Sequence, residues 1–167
     1  MSTTYALVVR NSSATDHQLT NSVPEREFEV RKDLRKDRIF TIDPPTAKDL
    51  DDALSIKDNG DGTHTVGVHI ADVSFFGESR SLDHGSCEVS ACQLIPVKPN
   101  TALDRDARKR ATSVYLVQRA VPMLPPQLSE ELCSLRPNEE RLAFTASFTI
   151  DQNGTVVKTD FARTIIK

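Results

Sequence analysis

Four carboxylates fall within ten positions of this 167-residue chain: Asp43, Asp49, Asp51 and Asp52, in the stretch Asp43-Pro44-Pro45-Thr46-Ala47-Lys48-Asp49-Leu50-Asp51-Asp52. Like charges so crowded repel unless protons or cations compensate, and magnesium is the usual partner of carboxylates that work beside phosphate oxygens. In an extended path Asp49 and Asp51 point one way and Asp52 the other. Some carboxylates can then hold a metal while another touches a substrate. On spacing alone, a solvated acidic loop explains the stretch equally well. A calcium EF-hand loop fits poorly, because its glycine and terminal glutamate are missing.

Other residues carry weaker chemistry. His84, Cys87 and Cys92 form a mixed set without a CxxC pair, which makes a poor zinc site. Arg105, Arg108, Lys109 and Arg110 crowd one segment and can meet phosphate, but basic helical faces are common on ordinary surfaces. His69 lies in a strand-like run and suits packing or a hydrogen bond better than catalysis. Phe75 and Phe76 read as core residues.

The elements that must position these groups follow from pattern. Residues 1–27 are polar and aperiodic and read as a loose lead-in. Arg31 to Arg38 is a mostly basic run, expected to be a solvated surface segment. Ile39 to Ile42 is β-prone and is stopped by Asp43-Pro44-Pro45. A hairpin is predicted from Ala53–Ile56, through Asp58-Asn59-Gly60-Asp61-Gly62, to a return strand over Thr63–Val73. On that strand Val66, Val68 and Ile70 share one face, with Gly67, His69 and Ala71 on the other. Phe144, Ala146, Phe148 and Ile150 alternate before Asp151-Gln152-Asn153-Gly154, which predicts a second hairpin returning at Val156 and Val157. Between the hairpins, Asn100 or Thr101 can cap a helix to about Ala111, with Leu103, Ala107 and Ala111 on one side. Pro125-Pro126 opens a shorter helix through Leu132. Strands and helices do not alternate regularly, so the predicted class is α+β.

Composition narrows the function classes. The formal net charge is −3, so any nucleic-acid contact must be locally organised and not a general basic surface. No apolar run approaches membrane-spanning length, and no membrane partner is expected. Three cysteines without framework spacing suit a reducing compartment, and a cytoplasmic location is expected.

The neighbouring words carry a resemblance. Phe40-Thr41-Ile42-Asp43-Pro44, Asp49-Leu50-Asp51-Asp52-Ala53-Leu54 and Gly67-Val68-His69-Ile70-Ala71-Asp72-Val73-Ser74 resemble the RNB domain of the ribonuclease II superfamily. So do Arg110-Ala111-Thr112-Ser113-Val114-Tyr115-Leu116, Pro122-Met123-Leu124-Pro125 and Leu132-Cys133-Ser134-Leu135, in the same order. Glu130 to Leu135 and Phe161 to Lys167 look most like the eukaryotic Dis-three-like exonucleases that act outside the exosome. The resemblance implies that residues 28–167 are the N-terminal part of an RNB ribonuclease domain. It also implies a magnesium-dependent, hydrolytic 3′–5′ exoribonuclease acting on single-stranded RNA, monomeric in the parent enzyme. Asp43, Asp49 and Asp52 then match magnesium-binding aspartates, Asp51 matches the aspartate needed for cleavage, and Tyr115 matches an aromatic that packs by the last RNA bases.

Two departures stand beside that match. Residues 77–96 interrupt the family spacing and read as an insertion or a translated, unspliced intron. The chain also stops where the family domain continues. On its own it is therefore expected to be inactive and poorly stable, with the Phe144/Phe148 or Val66/Ile70 face meeting water. The alternative reading is an RNB-fold translational regulator that binds messenger RNA without cleaving it, or a non-functional gene fragment.

Overall fold

Two glycine-bearing turns set up the larger part of the molecule. In a computed structural model describing residues 23–77 and 100–167, Gly60 and Gly62 take φ of 77° and 84°, and Gly154 takes 81°. Side chains without that freedom would be strained there. Asp58 and Asp61 accept backbone N–H bonds from Gly60 and Thr63, and Asp151 does the same for Asn153 and Thr155. The first turn joins β3 (Asp52–Asp58) to β4 (His64–Ala71), and the second joins β7 (Arg141–Ile150) to β8 (Val156–Ile166). Both predicted hairpins are present, and the α+β class holds.

The described residues divide into two compact units, residues 73–77 with 100–128 in one and residues 23–72 with 129–167 in the other. The first described element of the sheet unit is helix α1 (Glu25–Val30). Two short strands follow, β1 (Lys32–Asp33) and β2 (Ile39–Phe40). All six strands join one sheet in the order β1-β8-β7-β4-β3-β2, antiparallel except for the parallel β1–β8 pair.

Most of the basic run is solvated as expected, with Lys32, Lys36 and Arg38 exposed, but its first residue is not. Arg31 is buried, and its Nε donates to Glu27 at 2.6 Å while its Nη2 donates to Asp72 at 2.7 Å. A buried guanidinium between two carboxylates is tolerated only because its donors are matched. The spacing of basic residues could not reveal that tertiary pairing.

The two sheet faces differ. Direct register pairs place Ala53, Gly67, His69, Ala143 and Thr145 among the residues of one face, and Ile70, Val68, Phe144 and Phe161 on the other. His69, Ala143 and Thr164 are fully buried and Thr145 nearly so, whereas Ile70, Phe144 and Phe161 are exposed. The face with His69 and the threonines is covered across the middle of the sheet, whereas the other is covered only at one end, where Leu142 and Ile165 are buried.

The other unit carries a 3-10 turn (Val73–Gly77), helix α2 (Ala102–Arg110) and a small hairpin of β5 (Val114–Tyr115) and β6 (Ala120–Val121). Thr101 caps α2 as expected, its hydroxyl accepting from the Asp104 N–H at 3.2 Å. Leu103 and Ala107 are buried, but Ala111 is exposed and ends the helix at a φ of 64°. Phe75 is buried. The Pro-Pro helix is a wide π-type turn over Gln127–Leu132. The insert over residues 77–96 lies almost wholly outside the described residues.

Candidate functional site

The four aspartates occupy the loop from β2 into β3 and the first residue of β3. A tight turn holds the loop's start, with the Ala47 N–H on the Pro44 carbonyl at 2.9 Å. Its end is anchored from both sides. Ala71 of β4 donates to the Asp51 carbonyl at 2.9 Å, and Leu135 donates to the Leu50 carbonyl at 2.8 Å. Ser134 accepts from the Leu50 N–H at 3.0 Å and donates to the Lys48 carbonyl at 3.1 Å. Asp52 enters the β3 ladder opposite Ile70. Asp49 is half-buried, while Asp43, Asp51 and Asp52 are exposed.

The neighbouring charges act on Asp51. Partial desolvation pushes the Asp51 carboxyl above the ordinary carboxylate range, and the charges of Asp49, Asp52 and Asp43 add to that push. The other three aspartates thus lie close enough for their charges to reach Asp51. The buried Cys133 thiol behind the loop is pushed up to about 12, first by burial and then by the Asp51 charge. It is an inert thiol packed beneath an acidic surface.

This donor set suits a hard divalent cation. It offers carboxylate oxygens only, crowded enough that a cation would relieve their repulsion. Among the described residues, however, no three His, Cys, Asp or Glu side chains stand as a finished ligand cage. Magnesium characteristically keeps several waters and takes one or two carboxylates plus substrate phosphates, so an open acidic ledge fits it better than a closed cage would.

The remaining predicted groups have separate fates. Tyr115 lies in the helix-and-hairpin unit on β5 and is 71% exposed, next to exposed Val114, Leu116 and Val117. On α2, Arg108 pairs with Asp104 at 3.1 Å and Arg110 with Asp106 at 3.0 Å, while Arg105 donates to the Asn100 carbonyl at 2.8 Å. Much of that basic face is thus answered by its own helix. His69 is a buried strand residue between two hydroxyls, as its packing role required. His84, Cys87 and Cys92 lie outside the described residues. Motif reading gave no role to Ser134, Arg31 or Asp72. Ser134 and Asp72 stand within family words, which were the available signal, but their partners are distant in sequence.

The model of the RNB domain matches residues 31–167. The chain belongs to the RNB domain family. Over 98% of its length it is 45% identical to the DIS3-like exonuclease 2 of Schizosaccharomyces pombe, of which it covers 17%. It is 48% identical to a protein of Arabidopsis thaliana named inactive exonuclease DIS3L2, over 87% of this chain and 12% of that one. RNase R of Mycoplasma genitalium, solved in complex with ribose-methylated single-stranded RNA, superposes with a TM-score of 0.69 at 30% identity. That match covers 87% of this chain and 20% of the solved one. The RNB chain thus spans about a fifth or less of the length of these relatives. No helix among the described residues is long and apolar enough to cross a membrane.

Proposed function

We propose that this RNB chain supplies the acidic half of a magnesium-dependent active site that hydrolyses single-stranded RNA from its 3′ end. The observation that carries the reading is the intact set Asp43, Asp49, Asp51 and Asp52, held in one anchored loop and the first residue of β3 in a chain of this family. Asp43, Asp49 and Asp52 would hold the ion, and Asp51 would act at the terminal nucleotide. A bound magnesium ion supplies Lewis-acid polarisation of a phosphate and lowers the pKa of an attacking water. The chain's own part is to fix the carboxylates through Ala71, Leu135 and Ser134. Tyr115, exposed on a short hairpin, offers a ring on which an unpaired base can stack whatever its sequence.

A second reading has its own support. Near-equal identity to an exonuclease and to a protein named inactive means that overall likeness does not decide activity. In that reading the chain binds RNA and releases no nucleotides.

One experiment separates the two. In the longest gene product that carries this chain, Asp51→Asn removes a charge with little change of shape. It should lower the release of nucleotides from single-stranded RNA by about 100-fold or more, with RNA binding retained. Degradation at the unsubstituted rate would remove Asp51 from the mechanism. No degradation by either protein, with RNA bound by both, would favour the non-cleaving reading.

A further inference from the structure

We propose that Ser134 is a positioning residue for the metal-binding aspartates, in particular Asp49; this rests on the reading of the acidic loop as a metal site. Ser134 is fully buried, and its single hydroxyl spans the two peptide groups that flank Asp49. It accepts from the Leu50 N–H at 3.0 Å and donates its only proton to the Lys48 carbonyl at 3.1 Å. With that proton committed and no exposure to solvent, Ser134 is not a nucleophile. It is a clasp.

The clasp is held in turn. Arg141, buried at the start of β7, donates from Nε to the Ser134 carbonyl at 2.8 Å and from Nη2 to the Glu131 carbonyl at 3.1 Å. Leu132, Cys133 and Leu135 are buried around it, so water does not readily replace the hydroxyl. Next along the chain, the Leu135 N–H takes the Leu50 carbonyl and the Ala71 N–H takes the Asp51 carbonyl. Backbone on both sides of Asp49 is therefore tied down, and Ser134 supplies the only side chain among these ties. Without the hydroxyl, the Lys48 carbonyl and the Leu50 N–H must find new partners, and the loop carrying Asp49 relaxes relative to Asp51. Groups that orient metal ligands in this way typically change metal affinity about 10–100-fold when removed.

The test uses manganese(II) as the probe, with free ion measured by electron paramagnetic resonance during titration of the longest gene product that carries this chain. The unsubstituted chain should bind manganese, and Asp49→Asn should weaken that binding. Ser134→Ala should weaken it about tenfold or more, although Asp49 and the other carboxylates remain. A purely structural role for Ser134 would lower the melting temperature and leave the affinity of the folded molecules unchanged, and that result overturns the proposal. Should Ser134→Ala fail to fold, Ser134→Cys fills nearly the same space with a poor donor and acceptor and is held to the same criterion. Absence of binding by the unsubstituted chain, or equal binding by Asp49→Asn, would instead bring down the metal-site reading and this inference with it.

Discussion

On one face of the six-stranded sheet His69, Thr145 and Thr164 are buried; on the other Ile70, Phe144 and Phe161 are 45%, 47% and 65% exposed. The covered polar groups satisfy each other in a row that crosses four strands. Thr164 donates to the Ala143 carbonyl at 3.3 Å, and its oxygen lies 2.7 Å from the Thr145 hydroxyl. If Thr145 donates to Thr164, its oxygen is left to accept from the His69 Nδ1–H at 2.8 Å. The His69 Nε2 then accepts from the Ser55 hydroxyl at 3.0 Å. Every proton has a place, so burial costs little. Gly67 makes room for this row, because a Cβ there would come within 2.4 Å of the Ser55 oxygen and 2.8 Å of His69 Nε2. Satisfied hydrogen bonding lets this polar face be covered, while the other face is buried only at one end, at Leu142 and Ile165.

The sharpest break of that comparison makes the covered face more apolar. Thr145→Val keeps the shape but strands the His69 Nδ1–H and leaves Thr164 without its hydroxyl partner. A loss of about 1–3 kcal/mol is expected, the cost of a buried donor left unpaired. Urea denaturation at neutral pH measures it. A variant as stable as the parent would show that the row is not a closed network.

Much of the fold was legible because local chemistry dictates it. Asp, Asn and Gly at the two turns, alternation along β4 and β7, and Thr101 before α2 each act within a few residues. The acidic loop was legible as a set of residue types between strands. Burial was not, since it depends on partners far apart in the chain. Arg31 looks like one charge in a basic run, yet its partner Asp72 lies 41 positions away. Ser134 touches the loop across 84 and 86 positions. Which sheet face is covered is likewise invisible to a period-two pattern, which reports that two faces differ and not which one packs.

A smaller effect follows from the same row as pH falls. Burial lowers the His69 pKa below its ordinary value, partly offset by the charge of Asp37. Above about pH 6.5, the unperturbed histidine value, the ring is neutral in both folded and unfolded chains and adds no pH dependence. Below it, the unfolded chain takes up a proton that the buried ring resists, so stability falls until the pH reaches the lower folded value. Asp51, whose carboxyl is raised, contributes in the opposite sense as it becomes protonated. Comparing the parent with His69→Asn separates the two: between about pH 7 and 5 the parent's urea midpoint should drop more than the variant's. Parallel curves would mean that His69 titrates normally.

The least effect should come from making the exposed face polar. Phe161 stacks on Phe144 with ring centroids 6.3 Å apart and planes 19° from parallel, but both rings remain largely in water. Threonine is β-branched and as well suited to a strand as phenylalanine, so Phe161→Thr loses mainly an exposed contact. Surface changes of this kind usually shift stability by about 0.5 kcal/mol or less. Against that small change, binding of a hydrophobic dye should fall and solubility should rise, because the Ile70, Phe144 and Phe161 patch is interrupted. A loss comparable to that of Thr145→Val would mean that the face is covered in solution after all. The two faces would then differ in what covers them and no longer in whether they are covered.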